Sequence, residues 1–91
     1  MPPSTSPRFP GFAPKTYWRG PQWPVINWLL YWALERQGQV DLAARIREES
    51  LRQLSDLAFG EYYEPSTGEA LGSSYQSWTA AVALDWLIWD R

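Results

Sequence analysis

Residues 59–78 bring side chains that can do chemistry together in one stretch. Glu61, Glu64 and Glu69 supply carboxylates, Tyr62, Tyr63 and Tyr75 supply phenols, and Gln76 and Trp78 close the stretch. The chain has no histidine and no cysteine. The commonest general base and metal ligand is therefore missing, and so are disulfides and thiolate metal sites. Proton transfer here falls mainly to carboxylates. A second cluster, Tyr17, Trp18, Arg19, Gln22 and Trp23, adds indoles, whose flat faces suit ligand rings as well as cores. The plainer alternative is an interhelical loop whose aromatics plug a core, and composition alone does not choose between the two.

The elements that must position these residues follow from turn chemistry and periodicity. Pro65 suits the second position of a type I turn and Gly68 can take a positive φ just after it. Residues 62–64 and 69–71 are then expected to pair as a short hairpin. Residues 1–24 hold seven of the eight prolines, which denies helix and predicts an extended or looped segment. Its aromatics, Phe9, Phe12, Tyr17, Trp18 and Trp23, argue against a solvated tail. A first helix is expected over residues 25–37, started by Pro24 and closed by Gly38. It is apolar on every side, as a helix buried all round would be. A second helix over 40–59, ended by Gly60, buries one face through Ala43, Ile46, Leu54 and Leu57 and leaves an Arg/Glu face in water. A third, over 77–90 with Ser77 as N-cap, is again apolar all round.

Buried, amphipathic, buried is the order of inner and outer helices in a toroid of helical hairpins, an α/α barrel. Three helices cannot bury two of their number on all sides, so the pattern calls for more protein, either a remainder of the domain or self-association. Short connections make neighbouring helices antiparallel. The first and third then start at one mouth, which brings residues 17–23 and 61–76 together. A net charge of −2 without a basic tract argues against nucleic acid. The apolar runs are too short to cross a membrane. No charged segment followed by an apolar run stands at Met1, so the expectation is a cytoplasmic protein without a signal peptide.

Both loops resemble glycoside hydrolase family 63, in particular its mannosylglycerate hydrolase-like members. The first carries Tyr17-Trp18-Arg19-Gly20-Pro21-Gln22-Trp23, then Asn27 and Tyr31. The second carries Glu61-Tyr62-Tyr63-Glu64-Pro65-Ser66-Thr67-Gly68-Glu69, then Leu71-Gly72 and Gln76-Ser77-Trp78-Thr79-Ala80-Ala81. The resemblance covers nearly all of residues 1–91. It implies an all-α fold, the C-terminal fragment of an (α/α)6 barrel catalytic domain: three helices plus a Pro-rich loop and a short β-hairpin loop. It implies an inverting hydrolase of α-glucosyl or α-mannosyl linkages, with Glu61 as general base. By the same resemblance Tyr17, Trp18, Arg19, Trp23 and Gln76 bind the carbohydrate substrate. Glu64 stands where aspartate is expected and Ala70 where glycine is usual.

Inverting hydrolysis needs a second carboxyl group, the acid, about 6.5–9.5 Å from the base. The family's acid is an aspartate well upstream, and Asp41, Asp56, Asp85 and Asp90 match no such motif, so the isolated chain is expected to be inactive. No cofactor or metal is implied. Glu64 and Glu69 are expected to face solvent on the hairpin, and Trp28, Trp32, Trp86 and Trp89 to be core. The alternative function is a non-catalytic carbohydrate-binding or helical interaction module.

Overall fold

Pro24 opens the first helix, α1 (Pro24–Arg36), in the computed structural model, which describes residues 1–88. A proline at the first helical position loses nothing, because the amide it lacks has no partner there. At the other end Gly38 (φ 76°) turns the chain through the left-handed region. Its N–H donates to the Glu35 carbonyl at 3.1 Å, and the Gln39 N–H reaches the Leu34 carbonyl at 2.9 Å. This paired closure satisfies two carbonyls that the helix end would leave open.

The second helix, α2 (Val40–Gln53), stops earlier than its hydrophobic repeat suggests. It tightens into a 3-10 turn (Leu54–Asp56), and Leu57 (φ 62°), not Gly60, supplies the left-handed cap. Local polar groups cause this. The Ser55 hydroxyl donates to the Arg52 carbonyl at 2.6 Å, and Asp56 Oδ1 accepts the Ala58 N–H at 3.0 Å. Such side chains offer the backbone an alternative to the next helical bond. Leu57 consequently points into solvent rather than joining the buried face, which is Ala43, Ile46, Ser50 and Leu54. The polar face is not wholly solvated either: Arg47 Nε donates to the Trp86 carbonyl at 2.9 Å.

A two-stranded antiparallel hairpin follows, β1 (Tyr62–Tyr63) with β2 (Ala70–Leu71), pairing Tyr62 with Leu71 and Tyr63 with Ala70. The last helix, α3 (Ser77–Ile88), begins at Ser77 itself, so Ser77 is its first residue rather than its cap. The Gln76 carbonyl accepts the Ala80 N–H at 3.0 Å. The expectations for Trp89 and Asp90 lie outside the described residues.

Side-chain pairs fix the helix directions. Trp23 meets Trp78, Trp28 bonds Asp85 and Tyr31 meets Trp86, so both partners climb together and α1 runs parallel to α3. The end of α2 returns to the start of α1, where Gln53 Nε2 donates to Gln22 Oε1 at 2.9 Å. The core therefore lies between the helices, on Tyr31, Ala43, Ile46, Val82 and Trp86, with a second patch of Leu54, Tyr63 and Ala83 under the hairpin. The remaining apolar faces of the two parallel helices are open: Ile26, Leu29 and Leu30 on α1, and Leu84, Leu87 and Ile88 on α3. No described helix is long and apolar enough to cross a membrane.

Candidate active site

The parallel run of α1 and α3 puts both chemistry-bearing loops at one end. They are also joined there. Gln22, just before α1, exchanges two backbone hydrogen bonds of 2.8 Å each with Tyr63 of β1. The hairpin is thus extended sideways by the loop, and neither can shift without the other. Tyr63 is fully buried beneath this joint, and its hydroxyl accepts the Gly60 N–H at 2.9 Å. Burial pushes the Tyr63 phenol pKa up from its ordinary value.

Three glutamates on this hairpin have three surroundings. Glu64 was expected in solvent but is buried. Its two oxygens accept the backbone N–H groups of Ser66 at 2.9 Å and Thr67 at 2.8 Å, so it fastens the Pro65 turn. Hydrogen bonding to the Thr67 side chain and to the Ser66 backbone holds its carboxyl below the usual range, because donors favour the charged form. Glu69 is exposed as expected and pairs with Lys15 of the Pro-rich loop at 3.3 Å. Glu61, half-buried at the hairpin's root, accepts the Ser73 N–H on Oε1 at 3.2 Å. Its own N–H donates to the Ser73 carbonyl at 2.9 Å. An ion pair with Arg19 would have given Glu61 a purely structural role. Among the described residues the ion pairs are Met1–Glu49 and Lys15–Glu69, and Arg19 Nε instead donates to the Gly11 carbonyl at 3.1 Å.

Beside Glu61 stands an aromatic stack. Trp18 lies over Trp23 with ring centroids 3.7 Å apart, and Tyr62 lies 4.7 Å from Trp23, also near parallel. Two rings that close cannot share one face of Trp23, so they cover opposite faces. Tyr17 meets Trp18, Trp23 and Tyr62 edge-on. Each such aromatic pair adds about 0.5–1.5 kcal/mol beyond its burial. Trp23 is only 1% exposed and its Nε1 donates to the Tyr17 carbonyl at 2.9 Å. In this arrangement it offers no free face to a ligand, whereas Trp18 above it is exposed.

Of the residues singled out from sequence, Tyr17, Trp18, Trp23 and Glu61 are therefore drawn to one end. Gln76 reaches it through its backbone, donating to the Phe59 carbonyl at 2.8 Å. Arg19 is exposed and tied into its own loop. Tyr62 and Trp78 were not anticipated as partners of the stack. The alternation of a two-residue strand is too short to say which of Tyr62 and Tyr63 turns toward the loop. Trp78, in the first turn of α3, begins a groove of about 240 Å3 between the parallel helices, lined by Val25, Trp28, Ala81, Val82 and Asp85. Two aspartates are engaged elsewhere: Asp56 Oδ1 accepts the Ala58 N–H, and Asp85 accepts from Trp28 Nε1 at 2.8 Å.

Residues 1–79 match the family described as mannosylglycerate hydrolase MGH1-like glycoside hydrolase domain. A glucosylglycerate hydrolase of Mycolicibacterium hassiacum is 59% identical over 85 residues, which are 93% of this chain and 19% of that protein. A mannosylglycerate hydrolase of Thermus thermophilus is 42% identical over 84 residues, 92% of this chain and 20% of that protein. The crystal structure of a family 63 mannosylglycerate hydrolase from the same species with glucose superposes with a TM-score of 0.90 at 40% identity. That superposition covers 96% of this chain and 22% of the enzyme. The chain thus spans about a fifth of the length of these relatives.

Proposed function

This chain belongs to the mannosylglycerate hydrolase MGH1-like glycoside hydrolase family, and from that membership we propose that it is the base-bearing, C-terminal part of an inverting glycosidase. Residues 1–91 are then an incomplete catalytic domain. The substrate class is an α-glucosyl or α-mannosyl glycoside, as the names of the glucosylglycerate and mannosylglycerate hydrolases suggest. Glu61 is the general base and the acid comes from outside this segment.

The observation that carries this reading is the division of labour on the hairpin. Glu64 is consumed by its own turn and Glu69 by Lys15. Glu61 keeps one oxygen on the Ser73 N–H and lies beside Tyr62, at one end of the Trp18–Trp23–Tyr62 stack. A carboxylate aimed by a backbone donor can take a proton from water while a sugar ring rests on an exposed indole. Trp18 is that indole, with Trp23 as its backing and Tyr17 at its edge. Arg19 and Gln76 offer donors for hydroxyls or a substrate carboxylate. A binding module without hydrolysis would use the same aromatics, but it would need no carboxylate held in this way.

The test is a graft. This chain replaces the matching 85 residues of the M. hassiacum enzyme, to which it is 59% identical. The graft should hydrolyse glucosylglycerate, and NMR should show the first sugar formed with inverted configuration. Glu61→Gln should lower kcat by about 10²–10⁴-fold, the usual worth of one general base. Glu64→Gln should cost far less. A dead Glu64→Gln beside an active Glu61→Gln means the wrong residue has been assigned. A retained anomer would make the carboxylate a nucleophile about 5–5.5 Å from its partner.

A further inference from the structure

Gly72 follows β2 with φ 70°, in the left-handed region. A methyl group on its Cα would lie 2.5 Å from Glu61 Oε1, 2.6 Å from Tyr62 Cε1 and 3.0 Å from Glu61 Cβ. These separations are well inside ordinary contact. The space a side chain would fill at this position is already taken by the Glu61 carboxylate and the Tyr62 ring. The other glycines of the hairpin differ. Gly68 has almost the same backbone, φ 76°, yet a methyl there meets nothing within 4 Å. At Gly60 the nearest atoms would be the Ala70 Cβ at 2.9 Å and Tyr63 Cζ at 3.3 Å, packing contacts of the hairpin.

Something must move if Gly72 gains a side chain. Tyr62 is stacked on Trp23 at 4.7 Å and edge-on to Tyr17 at 5.4 Å, so moving its ring breaks two aromatic contacts. Glu61 Oε1 is the far end of a flexible side chain held by the Ser73 N–H at 3.2 Å. Swinging the carboxylate away relieves the shortest contact at least cost, while the edge of the Tyr62 ring at 2.6 Å must also give. We infer that Gly72 is a positioning residue for the base: its missing side chain is the berth of the Glu61 carboxylate, and the adjacent Ser73 N–H sets the carboxylate's aim. This rests on the reading of Glu61 as general base.

Two substitutions on one hairpin separate aim from backbone strain. Gly68→Ala and Gly72→Ala impose the same left-handed backbone penalty. Gly68→Ala therefore reports the backbone penalty alone, and Gly72→Ala should lower the melting temperature of the graft further, by what the crowded Tyr62 and Glu61 give up. Only Gly72→Ala should lower kcat, by about 10²-fold, the effect of a misplacement on the scale of 1 Å. KM should change much less than kcat, because Trp18 lies on the face of Trp23 opposite Tyr62. Gly72→Asn supplies a residue that tolerates the left-handed region while keeping the Cβ. It should ease the backbone share of the loss only, and stay slow. Equal kcat losses at Gly68 and Gly72, or recovery of kcat in Gly72→Asn, would overturn the inference. Glu61→Gln is run beside them. If it keeps full activity, the assignment of the base fails. If it is dead while Gly72→Ala behaves like Gly68→Ala, the base stands and the positioning role alone fails.

Discussion

Glu61 and Glu64 lie on one short hairpin, yet their carboxylates meet different partners, and pH should report the difference for Glu64. Its carboxyl is held below the usual range by the Thr67 side chain and the Ser66 backbone, so folding favours the charged form. A lowered folded pKa contributes stability that is fully present above the unfolded glutamate value. That contribution is lost as pH falls through the folded one. The grafted barrel should therefore melt higher than its Glu64→Gln variant at neutral pH, and the gap should shrink steadily below the ordinary carboxylate range. A gap that stays constant down to the acid limit would mean the carboxylate does not fasten the turn in its charged form. The sequence showed three glutamates in a loop with fixed turn chemistry, and it showed which loop. It did not show that Glu64 folds back on Ser66 and Thr67, because that depends on the turn's actual torsions. Nor could it show Trp23 closed between Trp18 and Tyr62, since a proline-rich loop has no period from which to read a face.

At the scale of elements, the helices and the hairpin were legible where a local rule had no competitor. Pro24 and Gly38 bound α1, and Pro65 with Gly68 set the turn between β1 and β2. The end of α2 was not legible, because Ser55 and Asp56 redirect the backbone while the leucine repeat runs on past them. Gly60 was expected to cap that helix, but its smallness serves the hairpin, where it packs against Ala70 and Tyr63. The joint between hairpin and loop hangs on Tyr63, whose hydroxyl accepts the buried Gly60 N–H at 2.9 Å. Tyr63→Phe in the graft leaves that donor without a partner and should cost about 1–3 kcal/mol in denaturant unfolding. Tyr62→Phe, on the neighbouring half-buried ring, should stay within about 0.5 kcal/mol. Equal losses would show that the hydroxyl contributes only bulk. The raised Tyr63 pKa adds a second readout. Its contribution is present below the unfolded tyrosine value and lost as pH rises through the folded one, so alkaline unfolding should be sharper in the parent graft than in Tyr63→Phe.

The described residues form a slab with principal extents of 36 × 28 × 17 Å, a fragment of an (α/α)6 barrel rather than a closed body. Its accessible area of 5678 Å2 is close to the roughly 5,400 Å2 expected of a folded monomer of this mass. Folding has therefore compacted it normally; the anomaly is which atoms remain outside. α1 and α3 are apolar on every side and can cover only the sides that face each other and α2. Leu87 is left 65% exposed and Leu29 53%, with Ile26, Leu30, Leu84 and Ile88 beside them. Soluble monomers rarely show continuous apolar patches beyond a few hundred Å2. Expressed alone, the chain should self-associate or bind a hydrophobic dye, and a monodisperse monomer with a sharp cooperative melt would refute this. Leu29→Asp with Leu87→Asp distinguishes what the faces are for. If they meet the rest of a barrel, the pair should reduce association of the isolated chain and, in the graft, lower the melting temperature and the activity together. If instead they are free surface, the graft should tolerate both changes with melting temperature and kcat intact.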